Sequence, residues 1–106
     1  INPYEAVRRE VAQSYHNVKT VYLQCSLDEL IRRDTKGLYA KAMLPSTHPG
    51  KLYNLTGVND PFEAPADPDL VIHTDREPVE ASAEKLVSFI TQQLKETAAI
   101  KRNTAG

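Results

Sequence analysis

The sequence predicts an α/β fold built on parallel strands, and three observations carry that expectation. Two short β-branched and aromatic runs, "VKTVYLQC" (18–25) and "DLVIHT" (69–74), read as strands. Helical periodicity precedes, separates and follows them. Strands alternating with helices imply a parallel sheet with right-handed crossovers. Two parallel strands cannot cover both faces of their own sheet, and parallel sheets are buried. The chain therefore reads as the C-terminal half of a larger parallel sheet flanked by helices. Its opening on "INPY", without Met and at a helix start, reads the same way.

The first helix is expected over 3–15. Asn2 suits the N-cap, Pro3 the first helical position, and Glu5 completes a capping-box spacing. Tyr4, Val7, Val11 and Tyr15 then fall on one face. The strand over 18–25 has a central apolar run and is expected to be buried on both faces. Ser26 and Glu29 repeat the capping box ahead of a helix over 27–33, with Leu27, Leu30 and Ile31 as its stripe. Gly37 interrupts, and "LYAKAML" resumes as a short helix up to Pro45.

Residues 45–69 hold Pro45, Pro49, Gly50, Gly57, Pro61, Pro65 and Pro68 and form a long loop. Loops of that length in compact domains are lids or disordered. Tyr53, Leu55, Val58 and Phe62 favour an ordered or ligand-ordered lid, spanning 34–69 with the Gly37 corner included. A strand follows over 70–74. A last helix is expected over 78–95, with Val79, Ala83, Leu86, Val87, Ile90 and Leu94 on one face and a polar tail that frays.

Composition narrows the function classes. The 106 residues suffice for one small domain. A net charge of −1 lacks the basic excess of nucleic-acid binders. No apolar run approaches the ~18 residues of a membrane span, and no signal peptide opens the chain. The single cysteine, Cys25, forms no internal disulfide, so a reduced, cytoplasmic setting is expected.

Ligands of open α/β sheets bind at the carboxyl ends of the strands. The first strand runs straight into a helix bearing Arg32 and Arg33, followed by Lys36 and Lys41. Such cations suit phosphate or sulfate, whose delocalised charge a guanidinium fork matches. The alternative is a solvated helix surface paired with Asp28, Glu29 and Asp34. His16, His48 and His73 show no metal-ligand spacing, and Cys25 fits a small buried hydrophobe better than a nucleophile.

"RDTKGLYAKA" (33–42), "NLTGVNDPFEAP" (54–65) and "DPDLVIHTD" (67–75), in that order, resemble the C-terminal half of the adenylylsulfate kinase (APS kinase) family. "INPY" resembles that family's segment before the helix that follows its third strand. The resemblance covers about residues 1–90. It implies a P-loop nucleotide-kinase-like sheet with a lid. It also implies transfer of the ATP γ-phosphate, with Mg²⁺, to the 3′-hydroxyl of adenosine 5′-phosphosulfate in sulfate activation, often by a homodimer.

Carried over by position, Lys36 matches a lid lysine contacting the sulfated nucleotide, and Arg33 a lid arginine near ATP. Ile1 and Pro3 match the segment lining the substrate pocket, and Thr56 and Gly57 a turn beside it. Leu55 stands where the family commonly has a phenylalanine that stacks on the substrate adenine. Asn2 replaces a usual serine, Glu5 a frequent arginine, and "LPSTHPGKLY" lengthens the lid.

No G-x-x-x-x-G-K-[ST] occurs in these residues, so the phosphate cradle and Mg²⁺-binding hydroxyl are absent from them. The fragment alone is therefore expected to be inactive and to require an N-terminal half. A non-catalytic nucleotide-binding remnant and a related kinase of altered substrate are the alternatives.

Overall fold

The computed structural model describes residues 2–105, with side chains through residue 99. Along the chain lie α1 (Glu5–Ser14), β1 (Val21–Gln24), α2 (Leu27–Arg33), α3 (Leu38–Ala42), β2 (Leu70–His73) and α4 (Val79–Ala105). β1 and β2 pair in parallel, with Val21 opposite Leu70 and Gln24 opposite His73. No described helix is long and apolar enough to cross a membrane.

The ladder sets the strand limits. Thr20 N–H donates to the Asp69 carboxylate at 2.7 Å, and the Thr20 carbonyl accepts from Asp69 N at 2.9 Å. At the other end Thr74 N donates to the Gln24 carbonyl at 3.0 Å. The strand expected over 18–25 is thus trimmed to the four residues that β2 can reach. The turn before it passes through Asn17 at φ 60°, a left-handed conformation that asparagine tolerates.

The expected two-sided burial of β1 does not hold, since Leu23 is 62% exposed. Burial requires a covering layer and a neighbour on each edge. Among the described residues β1 has one neighbour, β2. Only Ile72 and Ala42 are fully buried apolar residues among those described. Val7 and Val11 of α1 and Val87, Ile90 and Leu94 of α4 stay substantially exposed. A compact domain of this length has a radius of gyration near ~13 Å; this chain measures 18.3 Å.

Helix α1 begins two residues later than expected, and its cap differs. Tyr4 occupies the N-cap position without a side-chain cap bond. The first amide is instead capped from a distance, since Glu5 N donates to Glu63 Oε1 at 2.9 Å. Glu5 turns away from the capping-box geometry: its carboxylate takes the Arg8 guanidinium at 2.8 Å and Ala66 N at 3.3 Å. Asn2 contributes its carbonyl rather than its side chain, to Arg8 Nη1 at 2.6 Å.

The corner "RDTKG" has a local explanation. Ser26 Oγ accepts from Glu29 N and starts α2. Asp34 ends it and caps the next helix, its carboxylate accepting from Tyr39 N at 3.1 Å and Ala40 N at 3.0 Å. Gly37 supplies the left-handed residue between them, at φ 67°.

The long loop from Met43 to Asp69 carries its own hydrogen bonds. Lys51 Nζ donates to the carbonyls of Ala42 and Leu44 at 2.8 and 2.7 Å, closing the end of α3. Asn59 bridges Leu52 O and Leu55 N at 2.6 and 2.7 Å. α4 runs past the expected limit at residue 95 to Ala105. Lys95, Glu96, Ala98 and Ala99 are strong helix formers with no Gly or Pro among them, so the polar tail extends the helix rather than fraying.

A Cβ at Gly37 would meet no atom within 4 Å, so its substitution is limited by backbone strain alone. Gly37→Ala is expected to destabilise the chain by about 1–2 kcal/mol and Gly37→Asn by less, read by chemical denaturation.

Candidate functional site

Both strands end on the same side, β1 at Gln24 and β2 at His73, with Cys25 and Thr74 next in the chain. A cavity of about 480 Å³ opens there, between the strand ends, Tyr39 of α3 and the loop residues Thr56, Gly57 and Phe62. That volume falls in the range of small-ligand sites. The turn that brings Thr56 and Gly57 to it is built on one carbonyl. Leu55 O accepts from the amides of Val58, Asn59 and Asp60, each at 3.1 Å. Gly57 at φ 87° makes the turn possible, and its amide returns to Asp60 O at 2.8 Å.

Phe62 is fixed from behind. Its ring lies 6.1 Å from that of Tyr22, tilted by 38°, and the Arg8 guanidinium carbon lies 6.0 Å from its centroid. The Arg8 side chain is only 9% exposed. It binds the Glu5 carboxylate, the Asn2 carbonyl and the Glu63 carbonyl together. Glu63 N donates to Pro3 O at 2.8 Å. The hydrogen bond from Arg8 lowers the pKa of Glu5.

The positions of the sequence-derived site residues differ. Thr56 and Gly57 line the strand-end cavity. Pro3 lies at the junction of α1 with the 62–66 segment through its carbonyl. Leu55 is half-buried, acts through its backbone, and is not among the residues lining that cavity. Lys36 is exposed on the turn before Gly37. Ile1 lies outside the described residues.

Arg33 points elsewhere. Its Nη2 donates to Thr74 O at 2.8 Å, and it borders a second cavity of about 500 Å³ with Ile72, Pro78 and Leu86. Sequence reasoning missed Arg8 and Tyr22, and quoted Phe62 only as a sign of loop order. "PFEAP", an aromatic and a carboxylate between two prolines, was the available signal for the last.

The basic pair on α2 is held by its own helix. Glu29 binds Arg32 and also Arg33, the latter at 2.8 Å. Asp34 is committed to the α3 amides. The hydrogen bond from Arg32, joined by that from Arg33, brings the Glu29 carboxyl down from 4.5 to about 2. The same bond raises the pKa of Arg32. Among the described residues no group of three or more His, Cys, Asp or Glu side chains is placed to hold a metal ion.

A parallel sheet with a cavity at the carboxyl ends of its strands is the ligand-binding arrangement of open α/β proteins. Within that class the sequence comparisons are specific. The family described as adenylylsulphate kinase matches residues 1–73, and the chain belongs to it. An adenylyl-sulfate kinase of a Picosynechococcus species is 37% identical over 92 residues, which are 87% of this chain and 49% of that protein. One from Halothermothrix orenii is 38% identical, covering 88% of this chain and 48% of its own length. A probable bifunctional SAT/APS kinase 2 of Sorangium cellulosum is 36% identical over 87% of this chain and 15% of its own. The chain thus spans about half the length of the first two relatives. No solved structure matches it significantly.

The folded pKa of Glu29 lies below its unfolded value. The ion pairs therefore contribute fully above pH 4.5 and fade as pH falls toward about 2. The Glu29 carboxyl resonance in a carbon NMR titration is expected to move with a midpoint near 2. A midpoint at the ordinary carboxylate value would show that Arg32 and Arg33 are free in solution.

Proposed function

We propose that this chain is the C-terminal part of an adenylylsulfate kinase. In this reading the complete protein moves the γ-phosphate of ATP to the 3′-hydroxyl of adenosine 5′-phosphosulfate. The carrying observation is that the family match spans the Arg33–Lys36 corner, the Thr56–Gly57 turn and β2 in one continuous stretch. The cavity at the strand ends, lined by that same turn, supports it.

The roles divide between the two parts of the domain. Residues 34–69 act as the lid, with Lys36 reaching the sulfated nucleotide and Arg33 the ATP. Arg33 reaches ATP by leaving Glu29, an exchange of one anion for another that charge-assisted hydrogen bonds make nearly balanced. Ile1, Pro3, Leu55, Thr56 and Gly57 belong to the substrate side. The 106 residues contain no phosphate-cradling glycine loop with its Mg²⁺-binding hydroxyl. Those parts are assigned to the portion of the domain outside this chain. A reducing cytoplasmic setting suits the lone Cys25, and a homodimer is what the family resemblance implies for the complete protein.

In phosphoryl transfer nearly all catalysis is positioning and charge stabilisation. The chain alone is therefore expected to show no turnover of ATP with adenosine 5′-phosphosulfate, and completion with a P-loop half to restore it. Robust turnover by the chain alone would overturn this division. In the completed protein, Lys36→Ala is expected to raise the KM for adenosine 5′-phosphosulfate by about tenfold or more, the loss of one charge-assisted hydrogen bond.

A further inference from the structure

Resting on the reading above, we infer that Arg8 and Glu63 are positioning residues, whose clasp fixes the Thr56–Gly57 turn on the substrate side of the domain. Residues 53–68 contain that turn. Among the described residues, every hydrogen bond that ties them to an element outside the long loop runs to residues 3–8 at the start of α1. Glu63 N donates to the Pro3 carbonyl at 2.8 Å, and Glu63 Oε1 accepts from Glu5 N at 2.9 Å. The Glu63 carbonyl accepts from the Arg8 guanidinium. Glu5 completes the clasp, since its carboxylate accepts from Arg8 at 2.8 Å and from Ala66 N at 3.3 Å.

The turn hangs between this clasp and one other anchorage, the bond from Leu52 N to the Lys41 carbonyl of α3 at 3.1 Å. It is braced within itself, Gly57 N on Asp60 O at 2.8 Å, so it shifts as a unit when an anchorage loosens. Pro61 and Pro65 flank the clasped residue and restrict the backbone on either side of it. The planar fork of Arg8 holds the carbonyls of Asn2 and Glu63 and the Glu5 carboxylate at fixed angles to one another. Arg9 approaches the same carboxylate at 3.7 Å, but its side chain is 67% exposed. The cation assigned to ATP is tied to a different place, Arg33 to the Thr74 carbonyl. A loosened clasp therefore acts on adenosine 5′-phosphosulfate and spares ATP. Apparent affinity falls with the fraction of molecules that hold the competent arrangement.

The test uses the chain completed by its P-loop half, with the KM for adenosine 5′-phosphosulfate and the KM for ATP measured separately. Arg8→Lys keeps the charge and loses the fork. It is expected to raise the KM for adenosine 5′-phosphosulfate by about tenfold, the effect of lowering the competent fraction to about a tenth, and to leave the KM for ATP at the parent value. Glu63→Ala removes the side-chain bond to Glu5 N and keeps both backbone bonds, so it is expected to move the same KM by less. Arg9→Ala is expected to move neither. A merely structural clasp would lower the melting temperature and the active fraction, hence kcat, with both KM values unchanged. That outcome, or an equal rise in both KM values, would overturn the inference and leave the kinase reading standing. Should Arg8→Lys fail to fold, Glu63→Ala decides by the same comparison. A completed parent protein with no turnover of adenosine 5′-phosphosulfate would overturn the reading and this inference with it.

Discussion

Arg8 joins parts of the chain that the backbone separates by 55 residues. One guanidinium binds the Glu5 carboxylate, a carbonyl just before α1 and a carbonyl just after Phe62. It reinforces the bonds by which Glu63 and Ala66 already meet Pro3 and Glu5 at the start of α1. A planar fork can serve three acceptors at once, which an ammonium on a flexible stem does poorly. The interaction is also sheltered, so salt screens it less than the ion pairs on α2.

The electrostatics of the other end follow a different logic. Glu29 gathers Arg32 and Arg33 on the exposed surface of α2, where such pairs contribute little to stability. Their value lies in placement: Arg33 is drawn toward Thr74, at the end of β2. The same cluster that composition alone leaves open between a ligand site and a solvated surface is, in this conformation, paired within its own helix. Any anion that recruits Arg33 must displace a carboxylate already there.

What was legible in the sequence follows the range of the interactions. The Ser26–Glu29 cap closes over three residues and could be read directly. The α1 cap could not, because the carboxylate that makes it comes from Glu63, 58 residues on. The extent of β1 depends on where β2 can pair with it, and its burial on layers that two strands do not supply. The reach of α4 was written in Lys95, Glu96, Ala98 and Ala99, but polarity masked propensity. Family membership was legible because several motifs agree in order, and residues 1–73 match as a unit. At the site, Gly57 marked its turn by residue type, whereas Phe62 acquires its position only through Arg8 and Tyr22.

The free side of β1 bears on how such a chain survives in a cell. A strand whose hydrogen-bonding groups face solvent beside an exposed leucine is a template for pairing with any strand that reaches it. Val21 and Leu23 lie on that strand, and Leu23 is largely bare. The faster the rest of the sheet docks during synthesis, the shorter the interval in which self-association can begin. The identity of the first strand to arrive is then a matter of timing as much as of affinity.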